Sequence, residues 1–319
     1  MKHIFYILFL FLGITASAAT PEKHTHLYAV KGADSLYLDH YISPVEGKRP
    51  CMMFVFGGGF VGGQRDNEMY SKYFNFLTDN GYDVVSIDYR LGLKSLSSIP
   101  DISMKDVISL LNNAINMAVE DLFSATLYVI ENADEWQIDT RQIVTSGSSA
   151  GAITVLQAEN ALCNLTPSAA VLPADFRYAG VLSYAGAIFS LKGEPKWKRT
   201  PAPIMFFHGS ADRQVPYGKA TMFGIGFYGP KFLDHLFGRG GVVVGIATDM
   251  SYQYPFALTF KHFKLLICTP HHSTIDIAID TLQGFELRNL ISQLQRTEIS
   301  GVPNLVHVAE EVAQLVVEG

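Results

Sequence analysis

The sequence predicts an α/β protein, a mostly parallel sheet with helices on both faces, and three observations carry that prediction. From residue 30 onward, short apolar runs alternate with longer stretches of helical periodicity. Several of those runs are continuous rather than alternating, as strands buried on both faces require. The chain has 319 residues, 48% hydrophobic and 17% charged, which is the composition of a globular domain and excludes disorder, collagen-like repeats and a disulfide scaffold.

The elements follow in order. Leu36 to Ile42 reads as a strand with Leu36, Leu38 and His40 on one face. Cys51 to Phe56 is a buried strand ended by Gly57, Gly58 and Gly59. Glu68 to Asn80 is helical, with Tyr70, Tyr73, Phe74 and Leu77 at helical spacing and Gly81 as its stop. Tyr82 to Ile87 is a strand, and Met104 to Ile130 a long helix whose polar side holds Glu120 and Asp121. Gln142 to Ser146 is a strand, Ala150 to Leu162 a helix, and Val181 to Tyr184 and Ile204 to Phe207 two more strands. This βαβα order places helices against a parallel sheet. With no repeat and no low-complexity linker, residues 19–319 read as one domain.

Residues 1–18 read as an address. Lys2 and His3 precede the apolar run Ile4–Ile14 and the site Ala16-Ser17-Ala18, the pattern of a secretory signal peptide. The run is shorter than the about 20 residues that span a bilayer, and no later run reaches that length. The mature chain is therefore expected to be exported, to the periplasm or outside the cell, without stable membrane insertion. A net charge of −6 argues against nucleic acid and anionic membranes as partners. Cys51, Cys163 and Cys268 lie at wide spacing with no metal motif and read as small buried hydrophobes. His24 and His26 form H-x-H on an expected flexible end, a poor metal site. The basic, aromatic run Lys192–Arg199 reads as a solvated loop near the substrate cleft, with contact to an acidic polysaccharide as the alternative.

Chemistry collects at the ends of parallel strands, and three ends here carry unusual residues. Gly147-Ser148-Ser149-Ala150-Gly151 follows a strand and opens a helix, a G-x-S-x-G turn with Ser149 at its apex. Small residues must flank that serine so that helix and strand can approach, and the helix N-terminus favours negative charge at the hydroxyl. Gly57-Gly58-Gly59-Phe60 leaves backbone N–H groups uncovered, and with the N–H of Ala150 these can converge on one oxyanion. A phosphate loop would need a following Lys-Ser/Thr, where the chain has Gly62-Gly63-Gln64-Arg65. Asp212 sits just after a strand in His208-Gly209-Ser210-Ala211-Asp212, placed to orient an imidazole. The alternative for Asp212 is a cap on a helix following Pro216, and His208 reads as a structural residue at the strand end.

With Phe56–Phe60, Asp88-Tyr89-Arg90-Leu91, the turn at Ser149 and His208-Gly209-x-x-Asp212, the chain resembles an α/β-hydrolase over about residues 35–235. The group it resembles is the carboxylesterase type related to secreted bacterial feruloyl and acetyl-xylan esterases, though Phe56 stands where many esterases have His. The resemblance implies hydrolysis of a small-molecule or carbohydrate ester by a Ser–His–Asp triad without metal or organic cofactor. It makes Ser149 the nucleophile, Asp212 the acid, and Gly58, Gly59 and Ala150 the oxyanion donors.

The base must follow Asp212 in the chain. The candidates are His235, His262, His271, His272 and His307. His271 and His272 follow the strand-like run Phe263–Cys268 and Pro270, and are expected on a loop at the Ser149 edge of the sheet. The related esterases place the base in a Gly-His-acidic-apolar-Ala pattern, and the matching stretch Val243–Thr248 has Val244 at the histidine position. Three readings follow: an active serine esterase, a hydrolase fold without its base that serves as a binding protein, and a peptidase on the same fold.

Overall fold

The structure, a computed structural model, describes residues 21–99, 101–237, 243–248, 263–269 and 272–279, the last three segments as backbone. The segment read as a signal peptide and His262, His271 and His307 lie outside the described residues. In chain order the elements are β1 (Glu22–Lys31), β2 (Asp34–Ile42), β3 (Arg49–Val55), α1 (Ser71–Asp79), β4 (Asp83–Ile87), α2 (Met104–Trp136), β5 (Ile138–Ser148), α3 (Ala150–Asn164), β6 (Gly180–Tyr184) and β7 (Ile188–Ser190). They continue with β8 (Ile204–Gly209), β9 (Lys219–Met222), β10 (Ile225–Tyr228), α4 (Pro230–Phe237), β11 (Val243–Thr248), β12 (Phe263–Thr269) and β13 (His272–Ile279).

Among the described residues the main sheet has the order β1-β2-β4-β3-β5-β6-β8-β11-β12-β13. Its centre, β4 through β11, is parallel, and the two margins are antiparallel. The central strands are buried along their length, which accounts for their uninterrupted apolar runs. Neighbouring residues of β3 show the layering directly. Met53 meets Thr126 of α2, while the Phe54 ring lies 5.2 Å from Phe74 of α1, so the two helices cover opposite faces.

The helices predicted from periodicity form. The first divides into a short 3-10 turn at Glu68–Tyr70 and α1, and the long one runs 33 residues to Trp136. The strand β1 is not expected from the sequence; it makes the H-x-H pair, expected on a flexible end, part of a paired strand, with the His26 ring 4.8 Å from Trp136. A small antiparallel sheet, β7-β10-β9, is likewise absent from the expected elements. Asp121 departs from its expected polar face: it is fully buried and accepts hydrogen bonds from the Arg90 backbone N–H at 2.8 Å and from Nε at 3.0 Å. A 33-residue helix crossing the sheet meets the chain leaving β4, and Asp121 secures that crossing.

Lys192–Arg199 is a largely solvated loop as read. It starts against the segment beyond Asp212, with the Gly193 N–H donating to the Gly224 carbonyl at 3.0 Å, but its later half runs away from the serine. The Lys196 carbonyl accepts hydrogen bonds from Asn160 and Asn164 at the C-terminal end of α3. Since α3 starts at the serine turn and runs 15 residues, this end is about 22 Å along its axis from Ser149. There the basic run complements the negative end of the helix dipole. Cys51 and Cys163 are free and buried, while the Cys268 side chain lies outside the described set.

Candidate active site

Ser149 occupies the turn between β5 and α3 with φ 52° and ψ −115°, a conformation that few non-glycine residues adopt. Such strain persists only where surroundings impose it. The Ser149 N–H donates to the Tyr184 carbonyl at 2.8 Å, and its own carbonyl accepts the Ile153 N–H at 2.9 Å. Its hydroxyl makes no capping bond to the helix, although serine is among the best capping residues. The flanking glycines are required by contact: a Cβ on Gly151 would overlap the Val55 carbonyl, and one on Gly147 would overlap Gly151. Ser148 is buried.

The glycine loop after β3 lies against this turn. A Cβ on Gly57 would sit 2.8 Å from the Ser148 carbonyl and 3.3 Å from the Ser149 Cβ. Gly58 and Gly59 have φ 129° and 64°, and at 64° a non-glycine residue is strained. The Gly58 carbonyl accepts the N–H groups of Val61 and Gly62 at 3.1 and 3.2 Å, which closes the loop on itself. Tyr70, which reads from sequence only as a helical apolar position, accepts the Gly57 N–H on its hydroxyl at 3.4 Å. Tyr89 donates its hydroxyl proton to the Phe56 carbonyl at 3.0 Å. Ala150 is the first residue of α3, so its N–H lies at the positive end of the helix dipole.

Asp212 lies beyond β8, two strands from Ser149 across β6. The register Ser148↔Tyr184 and Tyr184↔Phe207 puts both at the same edge. One carboxylate oxygen accepts the N–H groups of Gln214 and Val215 at 2.8 and 3.0 Å; the other is 3.5 Å from His208 Nε2. The carboxylate therefore builds its own loop, and the element directly after Pro216 is the strand β9 rather than a helix for it to cap. His208 is buried and donates from Nε2 to the Val215 carbonyl at 2.9 Å. Burial lowers its pKa, against the pull of Val215 and Asp212, so the ring is neutral at pH 7.

Strand direction decides where the remaining histidine candidates go. β11 is parallel to β8, so its end at Thr248, opposite Gly209, is at the Ser149 edge. β12 runs back antiparallel, with Ala247↔Lys264 near that edge and Val243↔Cys268 at the other. His272 pairs with Thr269, which places it at the edge opposite Ser149. The expectation that the 271–272 segment arrives at the Ser149 edge is corrected at His272. The run Phe263–Cys268 is a strand as read, but an antiparallel one, and its end points away from the site. Among described residues with placed side chains, His208 is the imidazole beside Asp212. The described residues contain no cluster able to hold a metal ion.

This strand order, with a strained serine after β5 and a carboxylate after β8, is the α/β-hydrolase fold. The BD-FAE family model matches residues 38–161, from β2 into α3, and thus the glycine loop and Ser149 but not Asp212. An AB hydrolase superfamily protein of Schizosaccharomyces pombe is 29% identical over 164 residues, 51% of this chain and 39% of its own length. The fumonisin B1 esterase of Sphingopyxis macrogoltabida is 31% identical over 121 residues, 37% of this chain and 22% of its own. The chain thus spans well under half the length of these curated relatives. Among solved structures, an esterase of Thermogutta terrifontis is similar at 20% identity and a TM-score of 0.45, covering 63% of this chain and 74% of its own.

Proposed function

We propose that this chain is an exported serine hydrolase of carboxylic esters, small-molecule or carbohydrate esters being its substrates. Ser149 Oγ attacks the ester carbonyl, and the N–H groups of Ala150, Gly58 and Gly59 receive the oxyanion. Asp212 orients the imidazole that takes the serine proton and returns it to the leaving alcohol. Water then cleaves the acyl-enzyme by the same groups. The observation that carries this reading is Ser149, strained at φ 52° on a helix N-terminus with the glycine loop against it. The names of the relatives support the class of chemistry; the substrate class, small-molecule or carbohydrate esters, comes from the sequence resemblance alone.

One observation favours a second reading, a binding protein on the same fold: the register carries His272 away from Ser149. Hydrolysis of an aryl acetate by the purified protein and by Ser149→Ala separates the two. Turnover in the parent that falls to background in the variant supports the esterase. Equal background in both supports the binding protein.

A further inference from the structure

We propose that Arg65 is a positioning residue that sets the oxyanion-hole loop from its far end, an inference that rests on the esterase reading above. Gly57, Gly58 and Gly59 carry no side chains by which the loop can be held, so its donors are placed by whatever anchors its two limbs. The outgoing limb is anchored by β3, by the Phe56 ring 4.5 Å from Tyr89, and by Gly57 against the serine turn. The loop then doubles back. Phe60 is buried with φ 62° and its carbonyl accepts the Leu93 N–H at 3.0 Å. Gly63 returns onto Gly57, where a Cβ would overlap the Gly57 carbonyl.

Arg65 ends this return limb. Its carbonyl accepts the Ser86 hydroxyl at 2.7 Å. Its guanidinium reaches Asp88 Oδ2 at 2.6 Å from Nη1 and Asp39 Oδ1 at 3.2 Å from Nε. Asp39 belongs to β2 and is fully buried, where it also takes the Thr25 hydroxyl at 2.6 Å and faces Lys23 at 3.5 Å. Asp88 follows β4 and accepts the Tyr37 N–H at 3.3 Å. One planar fork therefore ties the loop to two strands, which a lysine, carrying a point charge, does not reproduce. Burial opposes the charge on Arg65, but Asp88 and Asp39 outweigh it and hold its pKa above the ordinary value, so the guanidinium stays charged at every working pH. A shift of the return limb passes through Gly63 to Gly57 and displaces the donors aimed at the transition state while leaving the ground-state pocket in place.

The test compares the parent with Arg65→Lys and Asp88→Asn on an aryl acetate. Active sites are counted by fluorophosphonate titration, and an aryl boronic acid that adds to Ser149 as a tetrahedral adduct reports oxyanion binding. The expected result is a fall in kcat per titrated site of about tenfold or more, with KM within about twofold and boronate affinity falling in step with kcat. Fewer titrated sites with parental kcat per site and parental boronate affinity would make Arg65 a residue of stability alone and overturn the proposal. So would failure of both variants to fold. A parent without turnover overturns the esterase reading itself, and the positioning role falls with it.

Discussion

On the β3–β5 side of the site, Gly57, Gly147 and Gly151 bring two loops and a helix end so close that one added Cβ at any of them would force the backbones apart. On the β8–β11 side no such contact holds Asp212 itself among the described residues; the close approach there, Gly229 against the Pro216 carbonyl, lies past the groups that bind it. Asp212 is held by two backbone N–H groups of its own loop, and its neighbours across the sheet are set by strand order and direction. The first side is fixed by contact between residues close in sequence or adjacent in the sheet. The second is fixed by topology. Substitutions should therefore act differently on the two sides, through backbone displacement on one and through lost orientation of a proton carrier on the other.

The largest effect on chemistry is expected on the topological side. Asp212→Asn should lower turnover by about 10⁴ with the melting temperature little changed, because an amide leaves the imidazole in the wrong tautomer. The loop itself survives, since an amide oxygen still accepts from Gln214 and Val215. Steady-state kinetics beside a thermal melt checks this, and parental turnover would remove Asp212 from the acid role. On the contact side, Gly58→Ala places a Cβ against the Gly62 carbonyl at a φ of 129°. It should lower kcat by about 10²–10³, the usual loss of one oxyanion donor, with KM little changed. An unchanged kcat would mean that the loop does not face the oxyanion.

How legible each side was follows from the same difference. Ser149 and the glycine loop were readable because steric need is local: a strained serine requires small neighbours, and a bare backbone requires glycines. The central strands were readable because burial on both faces leaves continuous apolar runs. The position of His272 was not, because an apolar run states that a strand exists and not which way it points, and reversal of β12 moves the following residues to the other edge. Arg65 and Tyr70 carry no sequence signal for their roles, since their partners Asp88, Asp39 and Gly57 are brought near by folding. Asp121 followed the periodicity of its helix, and only the chain leaving β4 makes its position buried.

Two smaller effects sharpen the comparison. Glu159 is buried on α3, away from the serine, and accepts the Ala202 N–H at 2.7 Å on one oxygen. Burial raises its pKa in the folded protein, against its hydrogen bonds from Ala202 and Cys163. A carboxyl raised in this way favours folding most below its unfolded pKa of about 4.3 and costs stability as pH climbs through the folded value. Glu159→Gln should therefore gain in melting temperature relative to the parent as pH rises from about 4 to 8, with turnover unaffected. A gap that does not change with pH would contradict the assignment. The smallest effect is expected at His272: His272→Ala should keep turnover within about twofold, because the register puts it at the far edge of the sheet. A large loss there would show that β12 and β13 do not run as described.

The central claim is that Ser149 carries the acyl group. It is tested most directly by quenching a single-turnover reaction with an aryl acetate and locating the added acetyl mass by peptide mass spectrometry. The account predicts one acetyl on the peptide containing Ser149, appearing as a burst and lost with the turnover rate. An acetyl on another residue, or product released with no acylated peptide at any time, would contradict it.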